Sequence, residues 1–98
     1  MKYQIINEAR IVLELPETAS MEQIKRNYRK LMNRWHPDHC NDNPEKCKEM
    51  AQKITDAYRI ILDYCSNYRY SFTQEEVDKY LSEEELWYNR YGNDPIWG

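Results

Sequence analysis

The sequence is poor in residues that interrupt regular structure, with two glycines and four prolines among 98 residues. That scarcity excludes collagen-like and glycine/serine low-complexity chains. No apolar run approaches the roughly 20 residues of a membrane helix. The N-terminus also lacks the basic start, apolar stretch and small-residue cleavage site of a secretory signal. A soluble, cytoplasmic protein is the expectation. Alternating strand patterns are missing, as are Asn-Gly and Asp-Gly hairpin signals and internal repeats. The three cysteines are an odd number in a chain expected to be cytosolic, and they suggest no disulfide framework.

What is present points to a small helical domain. Aromatics make up 13% of the chain, nine of them tyrosines, which argues against wholesale disorder. The net charge of −3 is unevenly spread. Residues 1–72 carry twelve Lys/Arg against ten Asp/Glu, whereas residues 73–98 carry two against seven. A general polyanion binder is not expected from that balance.

The spacing predicts a short first helix over about Glu8–Leu15, ended by Pro16, with Ala9, Val12 and Leu13 inward. Ser20 and Gln23 form a capping box for a second helix. At 100° per residue, Ile24, Tyr28, Leu31 and Trp35 share one face. Lys25, Arg26, Arg29, Lys30 and Arg34 occupy the other, with no acid among residues 23–37. A charged helix face is ordinarily just solvated. Here like charges recur at i,i+4, which mildly destabilises an isolated helix and suggests a use for the face.

Pro37 disfavours helical geometry at His36, so the second helix should stop there. A polar loop, His36–Asn43, follows. Asn43-Pro44 reads as an N-cap with proline at the first helical position. The third helix is predicted over about Pro44–Cys65. Cys47, Met50, Ala51, Ile54, Ala57, Tyr58, Ile61, Leu62 and Cys65 form its broad core stripe, and it should pair antiparallel with the second helix. Ser66–Phe72 is an aromatic connector. Capping boxes at Thr73/Glu76 and Ser82/Glu85 predict two further helices. Val77, Tyr80 and Leu81 would face inward from the first, and Leu86, Trp87 and Tyr91 from the second.

Ile24-Lys25-Arg26-Asn27-Tyr28-Arg29-Lys30-Leu31, followed after four residues by His36-Pro37-Asp38, resembles the second helix and signature loop of J domains, the DnaJ-type co-chaperones. Ile54, Ala57-Tyr58 and Ile61 are similar to that family's third helix, and Leu13-x-Leu15 to the end of its first. The resemblance spans about residues 7–65. It implies a J domain over 1–72 with an acidic, aromatic helical extension over 73–98 packed on it. It also implies binding to the ATP form of a DnaK-type chaperone, whose ATP hydrolysis is stimulated; the domain itself is not an enzyme. By position, Lys25, Arg26, Arg29, Lys30 and Arg34 would meet an acidic chaperone surface. Asp38 would accept a chaperone cation, and His36 and Pro37 would shape the loop.

The chain departs from the family at several points. Ala9 and Arg10 stand where the first helix usually carries aromatics, Glu14 where glycine is common, and Ala51 where phenylalanine is frequent. Tyr68-Arg69-Tyr70 replaces the usual basic fourth-helix segment. A Gly/Phe-rich linker and repeated CxxC modules are lacking.

His36, His39, Cys40 and Cys47 formally supply four zinc ligands. Cys47, however, lies on the core stripe, where a buried cysteine behaves as a small hydrophobe, and His36 belongs to the signature loop. No metal, cofactor or catalytic Cys–His site is expected. Two other functions compete with the co-chaperone reading. The acidic aromatic segment could anchor a partner protein through Trp87, Tyr88, Tyr91 and Trp97. The basic helix could bind nucleic acid, against which stand the acidic tail and the lack of interleaved aromatics. The expectation is thus an all-α co-chaperone, monomeric, with a DnaK-type partner and neither nucleic acid nor membrane.

Overall fold

The computed structural model describes residues 2–82. Four α-helices, and no strand, are formed among them: α1 Lys2–Val12, α2 Met21–Trp35, α3 Pro44–Ser66 and α4 Gln74–Ser82. A single 3-10 turn, Pro37–His39, sits between α2 and α3. The chain divides into two compact units, Met1–Tyr68 and Arg69–Gly98. No helix among the described residues is long and apolar enough to cross a membrane.

In the first unit, α1 and α2 both pack on α3. Ile54 is fully enclosed at 0% exposure, with Ala57, Ile61, Ile24, Leu31, Ala9, Leu13 and Leu15 around it. The 3.6-residue period puts Cys47, Ala51, Ile54, Ala57 and Ile61 on one buried stripe of α3, as its sequence predicts. Tyr28 of α2 and Tyr58 of α3 stack with ring centroids 3.9 Å apart and planes 9° from parallel. Such a pair adds about 0.5–1.5 kcal/mol beyond its buried area.

The helix ends follow their caps. Ser20 Oγ accepts from Gln23 N–H at 3.2 Å and starts α2. Asn43 Oδ1 accepts from Glu45 N–H at 2.8 Å and starts α3, with Pro44 at its first position. The α3 helix runs one residue past its predicted end.

The first helix differs from its expected span. It begins at Lys2, six residues before Glu8, and ends at Val12 rather than Leu15. Pro16 does not stop it. Glu14 does, by entering the left-handed region at φ 54°. Glu14 N–H then reaches Ile11 O at 3.0 Å and Leu15 N–H reaches Arg10 O at 3.0 Å, the bond pair of a Schellman cap. Two side chains secure this turn. Arg10 donates to Leu15 O at 2.8 Å, and its guanidinium also holds Asn7 Oδ1. Asn27 of α2 donates to Leu13 O at 3.0 Å and to Glu14 O at 3.1 Å.

In the second unit, Thr73 Oγ1 accepts from Glu76 N–H at 3.4 Å, but Glu76 turns its carboxylate to Lys79 instead of closing the box. Val77 and Tyr80 are 37% and 60% exposed, against the expectation that they face inward. Both side chains are exposed on this nine-residue helix, whose first turn carries Glu75 and Glu76. The helix expected from Ser82/Glu85, with Leu86, Trp87 and Tyr91, lies outside the described residues.

The cysteines correct another expectation. Cys47 is buried at 1% exposure on the core stripe, yet it is also bonded to Cys40, with Cα atoms 6.0 Å apart. Pairing is a tertiary property: the loop folds Cys40 back over the first turn of α3. Cys65 keeps a reduced thiol.

Two predictions follow from these constraints. A non-glycine residue in the left-handed region costs about 1–2 kcal/mol, part of which glycine returns through its freer unfolded chain. Glu14→Gly should therefore raise the unfolding free energy by about 0.5–1 kcal/mol while Glu14→Ala leaves it nearly unchanged; urea titration distinguishes them, and a destabilised Glu14→Gly protein would refute the account. The disulfide closes a short ring, which restricts the unfolded chain by about 2–3 kcal/mol. Reduction should lower the urea midpoint accordingly, and an unmoved midpoint would count against a stabilising bond.

Candidate functional site

The outward face of α2 follows from its inward one. Ile24 and Leu31 are buried and Tyr28 and Trp35 half-buried, so the opposite side chains must face water. Lys25, Arg26, Arg29, Lys30 and Arg34 are all exposed. None forms an ion pair with a described residue. Arg34 lies over the Trp35 ring at 5.0 Å, and Lys46 of α3 lies over the same ring at 5.7 Å. These cations leave an uncompensated positive strip along a helix roughly 22 Å long.

Chain direction changes sharply at the end of that strip. His36 N–H still bonds to Met32 O at 2.8 Å, but His36 itself has φ −59° and ψ 137°. That is the extended geometry a following proline enforces. Pro37 opens the 3-10 turn, and His39 N–H closes it on His36 O at 2.8 Å.

His36 also caps the turn through its side chain, because Nδ1 accepts from Asp38 N–H at 3.1 Å. The same Nδ1 lies 3.6 Å from Asp38 Oδ2, within ion-pair range. The two contacts make opposite demands, since an accepting nitrogen presents a lone pair and an ion-pairing one a proton. The shorter amide bond with its turn geometry decides for the lone pair. The Asp38 carboxylate is then left without a cation, and its side chain is 82% exposed. A carboxylate in this position can take a guanidinium in two parallel hydrogen bonds. Little ordering cost remains, because the turn is already fixed.

All eight residues singled out from the sequence thus fall on one continuous stretch, the outer face of α2 and the turn that ends it. The formal zinc set does not assemble. Cys40 and Cys47 are bonded to each other, His36 Nδ1 is engaged by an amide, and no metal-binding group of three or more His, Cys, Asp or Glu occurs among the described residues. Cys40 Sγ lies 3.0 Å from Asp42 O. A disulfide sulfur carries no proton, so this is a contact and not a hydrogen bond.

Sequence reasoning missed Asn27, which anchors α2 to the α1 turn from within the basic segment, and the Cys40–Cys47 bond. The cysteine spacing, with one partner in a loop and the other in the first turn of the next helix, was the available signal for the second.

The chain is 40% identical over 52 residues to human DnaJ homolog subfamily B member 3, covering 53% of this chain and 36% of that protein. It is 41% identical over 68 residues to DnaJ protein P58IPK homolog B of Oryza sativa subsp. japonica, covering 69% and 14% respectively. It is 42% identical over 52 residues to Chaperone protein DnaJ 2 of Aquifex aeolicus, covering 53% and 13%. The chain therefore spans about a third or less of the length of these curated relatives. No solved structure matches it significantly. The family profile of the DnaJ domain matches residues 11–70, taking in the end of α1, all of α2, the His36-Pro37-Asp38 turn and α3, and the chain belongs to the DnaJ domain family.

Proposed function

We propose that this chain is a co-chaperone that binds a DnaK-type chaperone and stimulates its ATP hydrolysis, without being an enzyme itself. The observation that carries this reading is the exposed Asp38 carboxylate, set on a turn clipped by His36 and Pro37 at the end of an unpaired basic helix face. The five cations of α2 steer the encounter with an acidic surface, and Asp38 engages a chaperone cation once the two are docked. Exposed charges of this kind accelerate association more than they tighten it. Weak, rapid binding suits a protein that must release its partner after each cycle of hydrolysis.

The steering and engagement steps separate experimentally. Asp38→Asn removes one charge from an exposed group whose nearest recorded side-chain neighbour is His36 Nδ1, 3.6 Å away. Its unfolding midpoint should match the wild type within the usual scatter of surface substitutions. Single-turnover ATP hydrolysis by a DnaK-type chaperone should lose at least about tenfold of its stimulation, the worth of one charge-assisted hydrogen bond. Full stimulation by a folded Asp38→Asn protein would sink the proposed role.

The double charge reversal Arg29→Glu/Lys30→Glu tests steering. Its association rate with the chaperone, measured by stopped flow at low salt, should fall about tenfold or more. The wild-type rate should itself drop as ionic strength rises through the physiological range. A salt-independent wild-type rate would remove the electrostatic account of the α2 face.

A further inference from the structure

The connection between α2 and α3 is held by two separate sets of local bonds. On the α2 side, His39 N–H reaches His36 O at 2.8 Å and Asp38 N–H reaches His36 Nδ1 at 3.1 Å. On the α3 side, Asn43 accepts from Glu45 N–H at 2.8 Å and from Cys47 N–H at 3.0 Å, and Asp42 pairs with Lys46 at 3.7 Å. Among the described residues no hydrogen bond or ion pair joins His36–His39 to α3. The covalent joint is the disulfide from Cys40, immediately after the turn, to Cys47 in the first turn of α3. One end of that bond is buried at 1% exposure in the packed core. The other is two residues from Asp38. Bond and site are therefore mechanically connected.

We propose that Cys40–Cys47 is a reversible redox site governing the order of the His36-Pro37-Asp38 turn, with the oxidised form competent toward the chaperone and the reduced form attenuated. The proposal rests on the co-chaperone reading above. The reductant is a dithiol. One of its thiolates attacks Cys40 Sγ, the more accessible sulfur, forming a mixed disulfide; Cys47 leaves with the electron pair of the S–S bond and takes a proton. The second thiol of the reductant loses its proton and attacks the mixed disulfide at the reductant's own sulfur. Cys40 departs as a thiolate and is protonated. Two electrons and two protons have passed to the protein, and the reductant has become a disulfide.

In the oxidised form Cys40 Sγ already lies 3.0 Å from Asp42 O; a Cys40 thiol would have a proton to donate there, within its own loop rather than to α3. The third cysteine does not interfere with exchange. Burial pushes the Cys65 thiol above its ordinary pKa, which keeps it protonated and a poor attacking group.

The test uses the full chain, oxidised and then reduced with dithiothreitol. Hydrogen exchange at the Asp38 and His39 amides is read alongside stimulation of single-turnover ATP hydrolysis by a DnaK-type chaperone. Reduction should speed exchange at those two amides about tenfold or more while leaving the amides around Ile54 unchanged. Stimulation should fall several-fold, and reoxidation with a small disulfide, oxidised glutathione, which leaves as two thiols, should restore both. Cys40→Ser should behave as the reduced protein with or without dithiothreitol, and Cys65→Ser should switch as the wild type does. Equal exchange in the two redox forms overturns the proposal. So does a loosened loop with undiminished stimulation, or a Cys40→Ser protein that still responds to reductant. If neither form stimulates while an active J domain does so in the same assay, the co-chaperone reading fails and the claimed control of activity fails with it. The exchange data would then decide whether the cysteines form a redox site at all, redox-dependent exchange supporting one and equal exchange excluding it.

Discussion

The enclosure of Ile54 is the constraint on which the first unit depends. With α1 on one side and α2 on the other, α3 provides the surface that both must cover. Isolated helices of eleven and fifteen residues are marginal in water, so neither α1 nor α2 owes its existence to propensity alone. The α2 helix carries repelling charges at several i,i+4 positions and is tolerated because Ile24, Leu31 and the Tyr28–Tyr58 stack hold it to α3. The core thereby supports a like-charged face that would weaken the same helix in isolation. Once the apolar quarter of α2 is committed inward, its five cations can only point to solvent.

A second constraint acts at the end of that helix. Proline forces an extended residue before it, and the imidazole before the proline closes on the backbone two residues later. The turn's hydrogen-bonding capacity is spent on its own main chain, which leaves the aspartate carboxylate with none of it. The exposure of the carboxylate comes from local self-sufficiency: His36 Nδ1, its nearest recorded neighbour, accepts from the Asp38 amide.

Most of α2 and α3 was legible because periodicity, caps and proline all agreed. Ser20, Asn43 and Pro44 act as their residue types suggest, and the core stripe of α3 falls where 100° per residue puts it. The early start of α1 was not legible. Lys2–Asn7 has no N-cap signal, and Tyr3 and Ile5 are exposed, so the apolar period breaks there. Its end was misread because the usual glycine marker is absent; Glu14 adopts the glycine-like conformation without the sequence announcing it, and Arg10 and Asn27 supply the bonds that hold the turn. The basic face and the signature turn could be read directly, since both depend on local order along one helix and its exit. The disulfide could not, because Cys47 satisfies the core pattern equally well with or without a partner. For Val77 and Tyr80, helical spacing showed that they share a face but not whether anything covers it.

The position of Cys40 and Cys47, seven residues apart, has a consequence for chemical kinetics. The ring they close is short, and its Cys40 end lies in the loop outside α3. The Asn43 cap and Pro44 that start α3 involve neither sulfur, and the six residues between the cysteines hold the two thiols on a short tether after reduction. Their effective molarity is then at least on the order of millimolar, the value for a short flexible tether. Once a small disulfide oxidant has formed a mixed disulfide on one sulfur, attack by the other closes the ring in a first-order step, expelling the oxidant's thiolate at a rate independent of how much protein is present.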